Sequence, residues 1–234
     1  MKKNLPLQRG KALKQMLEQL EKSGLSHIQL FYKSIYKYCQ VVANSYKLIK
    51  ESDRGGSLFT LYTVRMMIDA IYSMYATKMV SDKAAYIRKY LADEETNKII
   101  VGGKRLTTNH IGSTISLEYA GLDELYRESC RYLHPSIYYK MSKHTNIDKT
   151  GILGKYNSWH IRGSEDNELK ILYILDALSC ILYDVQLSVF NDAIVPLYPD
   201  LLQPIKWTKR AKPLDANSCK SYILDQKKIR EKYG

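Results

Sequence analysis

Residues 58–75 read LFTLYTVRMMIDAIYSMY, a run apolar on nearly every side of a helical wheel. A helix with that pattern has to be buried, so other helices must surround it. The run also carries Arg65 and Asp69, four residues apart and therefore on one helical face. A second apolar run, ILYILDALSCILYDV at 171–185, is broken by Asp176 and Asp184. Lipid-facing spans avoid such charges. The two runs are therefore predicted to be core helices of a water-soluble bundle, without a membrane partner.

The rest of the chain supplies the surrounding helices. Leu13, Met16, Leu17 and Leu20 fall at helical spacing within 9–22, and Gly24 ends that segment. Residues 26–50 form a longer helix, capped by Ser26, with Ile28, Phe31, Ile35, Tyr38, Val42 and Ile49 apolar. SDRGGS at 52–57 is a turn, and the central helix runs over about 57–79. Ser81-Asp82 caps a fourth helix to about 95. The loop 97–110 leaves room for a short strand, and Gly102-Gly103-Lys104 lacks the spacing of a phosphate-binding loop and reads as a turn. A short helix at 108–120 ends at Gly121. Another runs from 122 to 134, where Pro135 closes it. Residues 136–163 are loop-like, Ser164 caps a long helix to about 194, and a last polar helix falls at 216–232. No repeat or linker divides the chain. The expected architecture is all-α, an antiparallel helical bundle over 1–195 with a basic C-terminal extension over 196–234.

The formal net charge of +12 favours polyanions through long-range attraction. Twenty tyrosines offer flat rings with polar tips, suited to half-buried helix faces and to base stacking. Cys39, Cys130, Cys180 and Cys219 form no CxxC pair, and the five histidines complete no zinc pattern. Free thiols in a reducing compartment are expected. The start MKKNLPLQRGK lacks the apolar core of a secretory signal, which predicts a cytoplasmic protein.

The segment YRESCRYLHPS at 126–136 carries the most chemistry. On a helix, positions 127, 131 and 134 fall within about 60° of one another, so Arg127, Arg131 and His134 share a face. Arginines grip phosphate oxygens with paired hydrogen bonds. A histidine titrating near neutrality can move a proton from a ribose 2′-hydroxyl, and no metal or other cofactor is needed. The alternative is a histidine hydrogen-bonded at a helix end with its arginines on a solvated stripe. Arg65, Asp69 and Asp176 have two readings as well: a polar pocket where helices converge, or structural pairing and solvation.

Arg127, six residues and His134 resemble the R-x(4–6)-H motif of the HEPN superfamily, the higher eukaryotes and prokaryotes nucleotide-binding domains. The Arg65–Asp69 helix, followed by a tyrosine-led segment ending in His-Pro, is similar to a bacterial family of HEPN-like helical proteins. The resemblance covers about residues 26–195. It implies a four- or five-helix bundle, often a homodimer, in which the arginine and histidine of two protomers meet across a cleft. Active members resemble metal-independent endoribonucleases, several in toxin–antitoxin or phage-defence systems, which adds an antitoxin or other protein partner to the expectations. Carried over, His134 and Arg127 become catalytic candidates, with Arg131 a substitute for Arg127. One position departs from the pattern: Glu128 follows the motif arginine, where a small polar residue is common, and its charge opposes phosphate.

Basic patches add candidate contacts for RNA or another polyanion. KWTKRAK at 206–212 sets Lys206, Lys209, Arg210 and Lys212 around Trp207, a stacking ring among cations. Lys2, Lys3, Arg9, Lys11 and Lys14 cluster at the N-terminus, and His144, Lys149, Lys155, His160 and Arg162 lie in the long loop. Each patch also reads as solvated surface, and Trp207 as an anchor packed on the bundle. The function expected is an RNA-directed HEPN-like protein acting as a metal-independent endoribonuclease. The alternative is a non-catalytic helical module that binds nucleic acid or a protein partner.

Overall fold

A computed structural model describes residues 7–51, 56–131 and 165–207. The helices are α1 (Leu7–Lys22), α2 (Ser26–Glu51), α3 (Gly56–Met79), α4 (Lys83–Leu91), α5 (Thr108–Ile115), α6 (Leu122–Arg131) and α7 (Glu165–Val189). The described residues are thus all-α apart from one two-stranded hairpin. The loop expected over 136–163 and the helix expected over 216–232 lie outside the described residues.

Helix α3 is the centre, as its pattern requires. Val64, Met67, Ile68, Ile71, Met74 and Ala76 are buried, and α2, α4, α5, α6 and α7 all pack against it. Among its described side chains Arg65, Met66, Asp69 and Ser73 are less buried, as are Lys78 and Met79 at its end. Helix α2 buries Ile28, Phe31, Ile35, Cys39 and Val42 and leaves Leu30, Tyr38 and Val41 exposed. Ile174, Leu178, Ile181, Leu182 and Val185 bury the facing side of α7. The segment Ile174–Leu197 is long and apolar enough to cross a membrane by length and composition, and 67% of its apolar 18-residue window is buried inside the fold.

Two helices stop by the same device. After α1, the Leu25 amide donates to Leu20 O and the Gly24 amide to Glu21 O, with Gly24 at φ 68°. This pair of bonds caps the last carbonyls through a left-handed residue. After α4, Glu94 N donates to Lys89 O and Asp93 N to Tyr90 O, with Asp93 at φ 56°. The fourth helix therefore ends at Leu91, short of the predicted 95. Its cap is Asp82 rather than Ser81: Asp82 Oδ1 accepts from Ala85 N at 2.8 Å. Ser26, expected as a cap, is itself the first helical residue of α2.

Strands β1 (Ile100–Val101) and β2 (Lys104–Arg105) pair antiparallel, Ile100 with Arg105 and Val101 with Lys104. Gly102 and Gly103 form the two-residue turn, with φ of 55° and 76°. That tight connection needs left-handed backbone at both positions, which glycine supplies. Helix α5 ends at Ile115, short of the predicted 120, and Gly121 at φ 87° leads into α6.

The last long helix changes character before its expected end. Beyond Val189 the turns widen to a π-helix over Phe190–Ile194, then tighten to a 3-10 turn over Val195–Leu197. Within the widened turn, Asn191 holds the Ile205 backbone twice: Nδ2 donates to Ile205 O and Oδ1 accepts from Ile205 N, both at 2.8 Å. Gln203 N donates to Gln19 Oε1 at 2.9 Å, and Ser23 Oγ to Leu201 O at 3.2 Å. Leu202 and Ile205 are buried. Residues 198–207 thus lie against α1 and the end of α7.

Candidate functional site

Helix α6 turns Leu122, Leu125, Tyr126 and Ser129 inward. This 3–4 spacing fixes the helix roll, so Arg127 points outward and is exposed. Two turns of side chains then face different neighbours. Tyr126 and Cys130 lie against the polar strip of α3, while Arg127 reaches the surface from a carboxylate, Asp123, held largely inside the fold.

The α3 strip is built around Arg65. Its Nε donates to Asp69 Oδ2 at 2.8 Å, Nη1 donates to Cys130 Sγ, and the guanidinium carbon sits 4.0 Å from the centre of the Tyr126 ring. One planar cation thus meets a carboxylate and a sulfur through its fork and an aromatic face through its plane, a combination lysine lacks. Ser73 Oγ donates to Asp69 O at 2.9 Å. The Tyr72 ring leans on Tyr126, centroids 5.0 Å apart.

The electrostatics of this cluster are set by partial burial. Burial raises the Asp69 pKa, outweighing the Arg65 charge and the hydrogen bonds from Arg65 and Tyr126 that lower it. Burial would depress Arg65, but the Asp69 charge and hydrogen bond lift it, with smaller contributions from Tyr126 and Cys130. Burial raises the Cys130 thiol too, against the opposing Arg65 charge. A thiol held protonated is a poor nucleophile. Tyr126 is pushed up to about 12, chiefly by burial and then by the Asp69 charge. Tyr38 on α2 is raised by burial and next by the Asp69 charge.

Asp123 and Arg127 form the outer pair, Arg127 Nη2 to Asp123 Oδ2 at 2.8 Å, with the arginine side chain 62% and the aspartate side chain 16% exposed. The arginine end is therefore open to solvent while the carboxylate end is held in the fold.

The candidate residues divide as follows. Arg65 and Asp69 come together, and Arg65 touches the 126–130 stretch. Arg127 lies on the same stretch with its guanidinium in solvent. Helix α6 extends through Arg131, but the Arg131 side chain and the whole of His134 lie outside the described residues. Asp176 is exposed on α7, where water solvates its charge. Lys206 is exposed, and Trp207 is half-buried and packs against the core. Lys209 and Arg210 lie outside the described residues, as do the basic side chains of the 136–163 loop. Among the described residues no group of three His, Cys, Asp or Glu side chains could hold a metal ion.

Sequence reasoning misses three members of the cluster. It sees in Cys130 only a free thiol and in Tyr126 only the start of a motif. Their spacing of four, beside Leu122 and Leu125, is the available signal that they face inward together. Asp123 stands four residues before Arg127, a spacing that favours the pair.

Comparison of the chain with protein-family models, with curated proteins and with solved structures returns no match.

Proposed function

We propose that this chain is a HEPN-like, RNA-directed protein of the cytoplasm and a metal-independent endoribonuclease. Arg127 holds the scissile phosphate, and His134 takes the proton from the adjacent ribose 2′-hydroxyl. That oxygen then attacks phosphorus as the bond from phosphorus to the 5′-oxygen breaks. His134, now acting as acid, gives its proton to the leaving oxygen, so the downstream fragment begins with a 5′-hydroxyl and the upstream fragment ends in a cyclic phosphate. Arg131 is the second cation for the phosphate chain. Two copies of the chain, each contributing Arg127 and His134, form the working unit, in keeping with the resemblance.

The observation that carries this reading is the meeting of the Arg65–Asp69 pair with Tyr126 and Cys130. The two short stretches that resemble HEPN-like proteins lie about sixty residues apart in sequence, and their side chains are in contact. The net charge of +12 supports a polyanionic substrate. The test is incubation of purified protein with structured and unstructured RNAs in excess chelator. Cleavage by the native chain, lost in His134→Ala and in Arg127→Ala, is expected. Intact RNA throughout, with folded protein, counts against the ribonuclease.

A second reading, a non-catalytic nucleic-acid-binding module, is favoured by the pairing of Arg127 with Asp123 and by Glu128 next to it. Both place negative charge beside the motif arginine. RNA binding that falls steeply with salt and survives His134→Ala, without cleavage, selects this reading.

A further inference from the structure

Beneath Arg127 lies a small polar site that the roles proposed above do not use. Asp123 sits in the first turn of α6, where the helix N-terminus favours a carboxylate. Its Oδ2 holds Arg127. Its other oxygen, Oδ1, is sealed from water and has no hydrogen-bond partner among the described residues. The Tyr72 hydroxyl on α3 is in the same condition, and the Asp123 charge is among the causes that raise its pKa, after burial. Both atoms converge on Gly112 of α5. A Cβ at Gly112 would come within 2.6 Å of Asp123 Oδ1 and 2.9 Å of the Tyr72 hydroxyl. Gly112 is buried in the helix; what it supplies is space, since any side chain there would displace the carboxylate.

We propose that Asp123 is a positioning residue for Arg127, locked in a three-helix cradle made by Gly112, Tyr72 and the first turn of α6. One carboxylate oxygen occupies the space left open at Gly112, beside the Tyr72 hydroxyl, and the other is on the arginine. A fixed carboxylate fixes one edge of the guanidinium. An arginine has five N–H donors, so a single anchored nitrogen leaves the rest free for a phosphate. The exposed end of the pair is thereby aimed rather than mobile. The carboxylate that opposes phosphate by its charge also holds the cation that binds it, and the helix N-terminus offsets part of that charge.

This inference rests on the proposed function, with Arg127 as the phosphate ligand, but part of its test does not. Nitrogen-15 spectra of the arginine side chains, with Arg127 assigned by its loss in Arg127→Lys, are expected to show hindered guanidinium rotation in the native chain. Asp123→Asn, which keeps the shape, and Gly112→Ala, which leaves Asp123 and Arg127 unchanged in sequence, are both expected to free that rotation. In the RNA assay both variants should lower kcat by roughly tenfold to a hundredfold, the scale of a misplaced group, and change KM far less. Should Gly112→Ala not fold, Asp123→Asn carries the comparison. A native chain that cuts no RNA removes the ribonuclease and leaves the spectra to decide the positioning. Rotation as hindered in the variants as in the native chain, or full cleavage by both variants, overturns the proposal.

Discussion

Arg65 joins two helices through one planar group. It bonds a carboxylate, a sulfur and an aromatic face at once, and its own side chain is only 21% exposed. Lysine has a point charge and no plane, so it can keep the ion pair but not the stack and the second arm. Arg65→Lys is therefore expected to lower stability by about 1–2 kcal/mol, read from urea unfolding. Arg65→Ala should cost more, because Asp69 is then left half-buried without its cation. The pairing with Asp69 is legible in the sequence, since four residues on a helix put two side chains together. The contact with Cys130 is not: it joins residues 65 apart, and only the packing of α6 on α3 brings them together. The same limit applies at Asp123, where the four-residue spacing to Arg127 can be read directly while the opposing glycine on α5 cannot.

At the level of elements, the existence of helices is readable and their ends are less so. The central helix follows from its all-round apolar pattern and the two N-terminal helices from apolar spacing, while the short α5 and α6 are read from the Gly121 and Pro135 that bound them. Pattern reading carries the fourth helix too far because nothing in KYLADEET marks a stop by residue type. The chain ends it there by placing Asp93, a non-glycine, in left-handed backbone. Aspartate tolerates that conformation at a cost that glycine escapes. Asp93→Gly is expected to raise stability by roughly 0.5–1 kcal/mol, measured as a higher urea midpoint. Gly24→Ala at the matching position of α1 should lower it by a similar amount. Toward the other end of the chain, the widened turn at 190–194 has the residue pattern of ordinary helix. Its part in the fold is visible only through Asn191, which reaches 14 residues ahead to pin Ile205.

For the molecule as a whole, burial of tyrosines and thiols makes alkaline pH the weak side. Cys39 is pushed up to about 12 by burial from an ordinary 9.0, and Tyr126 to about 12 from 10.0. Tyr75, Tyr86 and Tyr183 are raised further, each chiefly by burial. A group whose folded pKa lies above its unfolded value gives full stability below the unfolded pKa and loses it as pH rises toward the folded one. Stability is thus expected to hold from neutrality to about pH 9, fall gently to about pH 10 as Cys39 contributes, and fall steeply above it as the tyrosines join. Cys39→Val should shrink the first part of the decline to the share left by the raised Cys130 thiol, and leave the second part. Unfolding midpoints measured across that range check both parts.

The all-α architecture of the described residues follows from one central helix that must be covered, a requirement plain in its apolar pattern. The functional account turns on the proposed attack by a ribose 2′-hydroxyl, with His134 moving its proton and Arg127 holding the phosphate. It is tested most directly by the chemistry of the RNA ends. Digestion in chelator, followed by mass analysis of the fragments, is expected to give 2′,3′-cyclic phosphate on each upstream piece and a 5′-hydroxyl on each downstream piece. Fragments ending in a 3′-hydroxyl, or no fragments from a folded native chain, would contradict it.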